Sequence, residues 1–353
     1  MKVLLVMTGG RVGGLQQSVV PYASALLRAG HEVLAVVLKG SPYVSELQKM
    51  DITLVITSWP RKPWPLSWFQ SRIIKKHAKD FEAEIAIAFA SKGLAPTLIA
   101  LKGDIPVLTR SGETRRRTMS RLLGADGIIV TSDEMGEVAH DMGMPQDRVF
   151  LLPNFLDRMP LPPATKIRTP QVIGSLGRLV PRKGFEDLLK ACHILNTTNA
   201  PVQMILGGDG PDRHALEELA AKLQIDVNFS GWISSSEKFD FFENIDIFVC
   251  PSRAEPFGYI YLEAMCAGVP IVTTDTVGAR FIFTPGEDAY IVEQDDIGEL
   301  AKMIRKLLSN TAERRKLACR AQKKYLSRFH VDTASGRLDE ILDRAVAKET
   351  GWK

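Results

Sequence analysis

The chain lacks the features that define several classes of protein. It has only 4 cysteines among 353 residues, far apart and without the spacing of a metal site, which excludes a disulfide-rich fold. These thiols are therefore expected to be buried in a reducing compartment. No apolar run reaches the roughly 20 residues that cross a bilayer. The first apolar run, 1–7, continues into glycines without a cleavage site, which predicts a buried strand rather than a signal peptide.

The composition is that of a folded protein with two domains. A chain of 353 residues with 45% hydrophobic and 24% charged residues suits two domains of ordinary size. Both halves alternate short apolar runs with amphipathic helical patterns, which indicates parallel sheets with crossover helices. The predicted fold class is α/β, with two Rossmann-like doubly wound domains facing a cleft. We assign 1–160 to the first domain and 168–330 to the second, with a proline-rich linker at 153–170.

Strands are predicted where apolar runs are bounded by turn residues. In the first half these runs are 2–7, 32–38, 51–57, 84–90, 105–110, 126–131 and 148–152. In the second half they are 172–176, 202–207, 227–230, 246–250 and 270–274. From about residue 295 the chain is predicted to be helical, with helices at 296–308, 311–328 and 333–348.

Basic residues are concentrated in part of the first domain. Residues 59–124 contain 13 basic and 5 acidic side chains, although the whole chain has a net charge of only +4. Tryptophan beside lysine and arginine is typical of a peripheral membrane surface, and Trp59, Trp64, Trp68 and Phe69 lie in the segment 59–69. A proline-stiffened loop packed by its own tryptophans is the alternative, and the pattern leaves both open. No nucleic-acid-binding module is recognisable, so nucleic acid is not an expected partner.

The first candidate ligand site is the glycine-rich segment 9–14, between the first strand and the first helix. Glycines such as Gly13 and Gly14 let backbone approach a ligand closely, and a helix N-terminus offers N–H groups to an anion. No Gly-Lys-Ser/Thr follows, and no acidic residue ends the second strand, so neither a Walker loop nor a dinucleotide fingerprint is present. A tight turn without a ligand is an equal alternative.

Two cations follow the first strand of the second half. Arg178 and Lys183 lie in the predicted loop 177–184, just before a helix. An arginine fork and a lysine point charge at such a strand end suit a diphosphate. Incidental charge on a surface loop is the alternative. The pair therefore predicts a phosphate-binding loop, to be weighed with the motifs that follow.

Two weaker motifs follow the next two strands. Gly208 and Gly210 lie in a glycine-rich turn that starts a helix, either with or without a ligand. The stretch 229–233, which contains Trp232 and Ile233, could present backbone groups to a nucleobase edge.

The strongest pattern covers residues 251–270. Glu255 lies in the loop after a strand, a helix is predicted to begin near Phe257 and Gly258, and Glu263 lies about a turn and a half into that helix. The helix N-terminus favours phosphate, and carboxylates accept paired hydrogen bonds from sugar or ribose hydroxyls. A glycosidase also uses two carboxylates, but it places them on opposite sides of the bond that breaks. Carboxylates in one loop and helix beside cations favour nucleotide-sugar binding instead.

Taken together these motifs resemble family 4 of the glycosyltransferases, retaining enzymes of the GT-B fold. The resemblance covers nearly the whole chain, and its most specific part is the Glu255 and Glu263 pair. Its other motifs are the Gly13-Gly14 entry, Gly30-His31-Glu32-Val33, Pro153-Asn154, Gly177-Arg178-Leu179 with Lys183-Gly184, Gly208-Asp209-Gly210-Pro211, Glu263-Ala264-Met265 and Gly268-Val269-Pro270.

The resemblance implies a role for each matching residue. Arg178 and Lys183 would bind the donor diphosphate, Glu255 the transferred sugar and Glu263 the ribose, so that Glu255, Arg178 and Lys183 form the catalytic set. The other donor-binding candidates are Gly13, Gly14, Gly208, Gly210, Trp232, Ile233, Pro256, Phe257 and Gly258. The last helix, about 335–353, would cross back onto the first domain. No metal and no cofactor are implied beyond the nucleotide-diphosphate sugar, with UDP ahead of GDP.

The sequence departs from the family pattern on the acceptor side. Many members have a histidine after the fifth strand of the first domain, whereas this chain has Arg110, Ser111 and Glu113. We take these three residues, with Arg115, as candidates for acceptor binding. The second departure is at 277–281, where the usual Gly-Gly and Glu are replaced by Val-Gly-Ala-Arg-Phe.

The predicted function is retaining transfer of a sugar from a nucleotide-diphosphate donor to a glycan or glycolipid acceptor. A bacterial envelope glycan of the lipopolysaccharide type is the expected product. The protein is expected in the cytoplasm, with a peripheral position on the inner face of the cytoplasmic membrane left open. The alternatives are a sugar-nucleotide epimerase of the same fold, a non-catalytic sugar-nucleotide-binding protein and, disfavoured by the second strand, a nicotinamide-dependent enzyme.

Overall fold

The structure is a computed structural model that describes residues 1–8, 18–58, 66–112, 115–162, 171–197, 202–234 and 237–349. The chain divides into two compact units. The first unit consists of Met1–Asp157 and Arg328–Lys353, and the second of Arg158–Ser327.

The first unit contains a parallel sheet of seven strands. They are β1 (Lys2–Met7), β2 (Glu32–Leu38), β3 (Thr53–Thr57), β4 (Ile85–Phe89), β5 (Val107–Arg110), β6 (Gly127–Val130) and β7 (Val149–Leu151). Their order across the sheet is β3-β2-β1-β4-β5-β6-β7. The order reverses between β1 and β4, which is the doubly wound arrangement.

Helices cover both faces of this sheet. They are α1 (Val19–Arg28), α2 (Val44–Leu47), α3 (Leu66–Phe81), α4 (Ala90–Leu101), α5 (Arg116–Met119) and α6 (Asp133–Asp141). Successive residues of β1 point to opposite faces, so Val3 and Leu5 enter one core and Leu4 and Val6 the other. Burial on both faces explains why the strand is an unbroken apolar run.

The last helix of the chain, α14 (Val331–Glu349), also belongs to the first unit. It packs on α1, and Leu338 and Leu342 are fully buried in the core that contains Val3 and Leu5. The chain enters this helix beside the segment at Leu156, whose N–H donates to the carbonyl of Phe329. One face of the first sheet is therefore covered by residues from both ends of the sequence.

The second unit contains a parallel sheet of six strands. They are β8 (Gln171–Leu176), β9 (Val202–Gly207), β10 (Val227–Gly231), β11 (Ile247–Cys250), β12 (Ile271–Thr274) and β13 (Tyr290–Val292). Its order is β10-β9-β8-β11-β12-β13, so the reversal falls between β8 and β11. Its helices are α7 (Phe185–Thr197), α8 (Arg213–Lys222), α9 (Lys238–Glu243), α10 (Tyr259–Ala267), α11 (Val277–Ile282), α12 (Ile297–Ser309) and α13 (Thr311–Arg328).

The predicted strands are found to within about two residues, with three differences elsewhere. The short strand β13 was not predicted. The stretch 277–281, expected as a loop, forms helix α11, with the hydroxyl of Thr276 accepting from the N–H of Ala279. Cys319 is exposed, so the expectation that all four thiols are buried is wrong for this residue. It lies on α13, whose buried side contains Leu317, Ala318 and Ala321 but not Cys319. Among the described residues, no helix is long and apolar enough to span a membrane.

Candidate functional site

The predicted donor residues of the second unit lie at the reversal point of its sheet. The loop after β8 carries Arg178 and Lys183, and the loop after the neighbouring strand β11 carries Glu255. The carboxyl ends of parallel strands at such a reversal leave a crevice between loops that turn to opposite faces. The strand order therefore brings together cations and a carboxylate that are 72 residues or more apart in sequence.

Close backbone contact holds these two loops together. Gly184 has a φ of 65°, and a Cβ atom at this position would overlap the carbonyl oxygen of Pro251. The N–H of Arg253 donates to the carbonyl of Arg182 at 2.9 Å. Only glycine combines the left-handed conformation with this approach. Gly184 is thus the residue that allows the loop after β8 to lie against the loop after β11.

Within this contact Lys183 and Glu255 form an ion pair. The lysine Nζ lies 2.5 Å from Oε2 of Glu255, and both side chains are 12% exposed. A pair this well buried is held more firmly than a surface salt bridge, because water screens it less. The ammonium and the carboxylate lie in the loops that follow the carboxyl ends of β8 and β11. At this edge of the sheet, either group can exchange its partner for a polar ligand.

The second carboxylate, Glu263, is also paired with a lysine. It lies on α10, is 6% exposed, and its Oε1 accepts from Nζ of Lys238 at 2.6 Å. Its Oε2 is buried and accepts no hydrogen bond from any of the described residues. A buried carboxylate oxygen without a donor is costly, which is expected where a ligand supplies the missing hydrogen bond.

Lys238 was not identified from the sequence. It is the first residue of α9, a position where the helix dipole disfavours a cation. A lysine at the start of a helix is therefore the feature that could have indicated a specific carboxylate partner for Lys238.

Gly258 ends the loop of Glu255 and begins α10. The helix starts at Tyr259, slightly later than predicted, with Gly258 as its N-cap at a φ of 87°. A Cβ atom there would approach Cγ of Glu255 to 2.9 Å, so the glycine leaves room for the glutamate side chain. Phe257 is buried against Phe281, with 5.8 Å between ring centroids, while Pro256 is half-buried. The N-terminus of α10 therefore lies directly beside Glu255.

Gly208 and Gly210 pack the loop after β9 against the loop after β8. A Cβ atom on either would overlap a backbone carbonyl, of Gly177 and Leu179 respectively. Their amides are engaged within the protein, since Gly208 N–H donates to the carbonyl of Gly231 and Gly210 N–H to Asp209 Oδ1 at 2.8 Å. These glycines shape the loops, and a contact with a donor remains a prediction.

Arg178 and Trp232 face solvent beside these loops. The Trp232 side chain is 64% exposed and Arg178 is exposed, whereas Ile233 is half-buried against Gly207. Within the described ranges, the Arg178 side chain makes no hydrogen bond or ion pair. An unengaged cation and an exposed indole ring can be held by an arriving ligand without breaking an internal contact.

Tyr261, on α10 two residues before Glu263, is fully buried and keeps its proton. Its hydroxyl is 2.8 Å from Oγ1 of Thr273, and burial, followed by the charges of Cys250 and Glu255, raises the pKa of the phenol well above its ordinary value. The phenol stays neutral and supports the floor of the site.

The predicted acceptor residues are divided between the core and the surface of the first unit. Arg110, the last residue of β5, and Ser111 are each 1% exposed. Arg115 is exposed at the start of α5. Gly13, Gly14 and Glu113 lie outside the described residues.

The expected membrane-facing segment is described only from residue 66 onward. Trp68 and Phe69 on α3 are each 53% exposed, and the guanidinium of Arg72 lies 3.8 Å from the Trp68 ring centroid. Lys75 pairs with Asp104 at 3.0 Å on the same exposed side. Trp59 and Trp64 lie outside the described residues. Two large aromatic rings thus face solvent next to cations.

Comparison with known proteins defines the class to which this fold and site belong. Residues 161–324 match the family model described as Glycosyl transferases group 1, and residues 12–158 match Glycosyltransferase Family 4. The chain is therefore a homologue of the GT-B glycosyltransferases, with one matching domain in each half.

Individual relatives cover nearly the full length. The chain is 27% identical over 350 residues to the lipopolysaccharide core biosynthesis glycosyltransferase LpsD of Rhizobium meliloti, covering 96% of this chain and 97% of that protein. It is 26% identical to LpsE of the same organism, over 91% and 93% of the two chains. The crystal structure of Anabaena Alr3699/HepE in complex with UDP and glucose has the same fold, with a TM-score of 0.80 at 20% identity over 97% and 99% of the two chains.

Proposed function

We propose that this glycosyltransferase homologue is a retaining, metal-independent member of family 4 that transfers a hexose from a nucleotide-diphosphate donor. The observation that carries the proposal is the pair of buried lysine–glutamate contacts, Lys183–Glu255 and Lys238–Glu263, together with the exposed Arg178 in the same loop as Lys183. One carboxylate keeps a buried oxygen without a donor, which suits a ribose hydroxyl.

In this proposal the cations bind the departing diphosphate. Arg178 approaches from solvent, and Lys183 exchanges Glu255 for a phosphate oxygen. The amides at the start of α10 add to the positive potential. These groups stabilise the charge that grows on the leaving group, which is usually the largest catalytic contribution.

Glu255, once released from Lys183, accepts hydrogen bonds from the hydroxyls of the transferred sugar. Glu263 accepts from the ribose, and Trp232 with Ile233 borders the base. Retention follows if the acceptor attacks on the face from which the nucleotide leaves, with a diphosphate oxygen taking the acceptor proton. No protein base is then required on that face.

UDP is the favoured nucleotide, and Alr3699/HepE, which shares the fold, was crystallised with UDP and glucose. For the acceptor, the names of LpsD and LpsE support a glycan of the lipopolysaccharide core. The exposed rings of Trp68 and Phe69 beside Arg72 support a peripheral contact with an anionic membrane from the cytoplasmic side.

The proposal is tested by isothermal titration with UDP, GDP and ADP in the absence of metal. We expect one nucleotide to bind, with UDP first, and the affinity to fall at least tenfold in Arg178→Ala and in Glu263→Ala. Glu255→Gln should keep nucleotide affinity, but its rate of sugar transfer, followed by the UDP formed from the UDP-sugar, should be about 100-fold lower. Arg305→Ala, a change outside the site, serves as the matched control.

Each other result has a defined meaning. Binding of no nucleotide, or unchanged binding in both affinity variants, rejects the donor site. Binding without turnover of any UDP-sugar favours a non-catalytic binding protein. Inversion at C2 of the free UDP-sugar favours an epimerase.

A further inference from the structure

Arg110 is a buried cation whose charge is balanced by no other side chain among the residues that the structure describes. It is 1% exposed, and its Nη2 donates to Oδ1 of Asn154. Its Nε and Nη1 are buried and find no hydrogen-bond partner in the described part of the chain. Asn154 is neutral, and no carboxylate lies within ion-pair distance of Arg110 among the described residues.

The surroundings of Arg110 make this charge more costly. Its guanidinium lies 6.0 Å from the ring centroid of Tyr22, which in turn stacks on Phe155 and meets the edge of Phe89. Aromatic rings give some cation–π attraction but cannot accept the remaining N–H groups in the manner of a carboxylate. Asp157, the nearest acidic residue along the segment of Asn154, is already paired with Arg28 at 2.8 Å.

The guanidinium of an arginine stays charged in a protein, so this cost is relieved only by a partner for the charge. A buried, unpaired charge therefore destabilises the fold unless an anion from outside neutralises it. Two unused N–H groups on one planar guanidinium match two oxygens of a carboxylate or phosphate.

Burial also limits what that anion can be. A broad anionic surface such as a membrane can contact exposed arginines, for example Arg115 or Arg121, but it cannot enter a core. A single oxyanion group on a small ligand can. Arg110 lies at the carboxyl end of β5, beside β4, which borders the reversal point of the first sheet. Ligands of such sheets bind outside the carboxyl ends of the strands near this reversal.

We propose that Arg110 is the recognition residue for an oxyanion on the acceptor, so that the acceptor is an acidic or phosphorylated sugar. This inference rests on the proposed function for its assignment to the acceptor, since the donor residues lie in the second unit. The anion enters beside the Tyr22 ring, takes the bonds that Nε and Nη1 now lack, and fixes the sugar relative to the first sheet.

The test uses the full chain saturated with UDP, so that the diphosphate-suited cations of the second unit are occupied. Inorganic phosphate, glucuronate and glucose are added at constant ionic strength, and the melting temperature is followed. We expect phosphate, glucuronate or both to raise it by about 3–6 °C at ten times the dissociation constant, and glucose to have no effect. A response to only one of the two anions identifies a phosphate or a carboxylate as the group that is recognised.

Variants separate recognition from a structural role. Arg110→Met and Arg110→Gln should melt at or above the temperature of the unsubstituted protein, because each removes an unpaired buried charge, and should lose the anion response completely. Arg110→Gln keeps an amide that can bond to Asn154, so it remains informative if the methionine variant does not fold. Arg121→Gln removes an exposed arginine of the same unit and should keep the response.

The proposal is overturned if neither anion shifts the unsubstituted protein, if the shift persists without Arg110, or if both Arg110 variants are strongly destabilised while no anion binds. Failure of the proposed function is a separate result. A protein that does not bind UDP but responds to anions through Arg110 keeps the oxyanion site and rejects the glycosyl donor.

Discussion

The two units share the order of their first six strands, to which the first unit adds a seventh, but they treat buried charge in opposite ways. At the carboxyl edge of the second sheet, Glu255 and Glu263 each contact a lysine. At the corresponding edge of the first sheet, Arg110 has two nitrogens without a partner. In both units a buried polar group keeps unused hydrogen-bonding capacity, but in the second it is an acceptor and in the first a donor. The comparison indicates that the unused oxygen of Glu263 suits a hydroxyl donor, and that the unused nitrogens of Arg110 suit an anion.

The largest expected effect comes from breaking the loop contact that makes the second edge possible. Gly184→Ala should destabilise the protein by about 2–4 kcal/mol, because its Cβ atom would overlap the Pro251 carbonyl and its φ of 65° is strained for alanine. UDP affinity should fall with it, since the Lys183–Glu255 pair depends on this approach. Urea unfolding and UDP titration measure both quantities.

Gly286→Ala is the matched control for this change. Its φ is 75°, but no atom lies within 4 Å of the added Cβ. It should cost only the backbone strain of about 1–2 kcal/mol and leave UDP affinity unchanged. Equal losses in the two variants would mean that the loop contact contributes nothing beyond the strain.

A smaller effect is expected from removing the second lysine. Lys238→Met leaves the carboxylate of Glu263 without its cation, and UDP affinity should fall about tenfold, since a hydrogen bond to a charged group is worth roughly 1.5–3 kcal/mol. The loss should shrink for UDP that lacks both ribose hydroxyls. Lys190→Met, which breaks an exposed pair with Glu186, should leave affinity unchanged. A loss that is the same for both nucleotides would place Lys238 away from the ribose.

The smallest effect concerns a second buried basic group of the first unit, His31. Burial lowers the pKa of His31 below 6.5, and the charge of the N-terminal amine, 3.1 Å from Nδ1, lowers it further. Asp339, 3.0 Å from Nε2, and Asp343 raise the pKa but do not reverse this shift. The unfolded chain then binds the proton more readily than the folded one. Stability should therefore decrease as the pH falls through about 6.5 toward the folded-state pKa.

His31→Gln should flatten this pH dependence, and His214→Gln, which changes an exposed histidine of the second unit, should not. Melting temperatures between about pH 7.5 and pH 5 provide the measurement. A slope that is unchanged in His31→Gln would assign the acid sensitivity to other groups.

Much of the fold could be predicted from the chain because its signals are local. Buried parallel strands are short apolar runs. Turn residues mark the ends of elements, as Gly30 does after the first helix and Pro153 after the strand at 148–152. The strand β13 was missed because three residues are too few to show a period. The exposure of Cys319 was missed because the sequence of α13 does not show which of its faces packs against the second unit.

The candidate site was only partly accessible from the sequence. Arg178, Lys183, Glu255 and Glu263 could be singled out as residue types at strand ends, and the resemblance to a family supplied their roles. The partner of each carboxylate could not be predicted, because the Lys183–Glu255 and Lys238–Glu263 contacts join residues 72 and 25 positions apart. Likewise, nothing local distinguishes the buried Arg110 from the exposed Arg115.

The position of α14 has a consequence for synthesis on the ribosome. Leu338 and Leu342 complete a core whose other members include Val3, Leu5 and residues of α1, so that face of the first sheet is only partly covered until some 330 further residues have been made. The second unit, a continuous stretch, can complete its own core earlier. The region translated first is thus the last to finish folding, and its apolar strands need protection from aggregation while the rest of the chain is made.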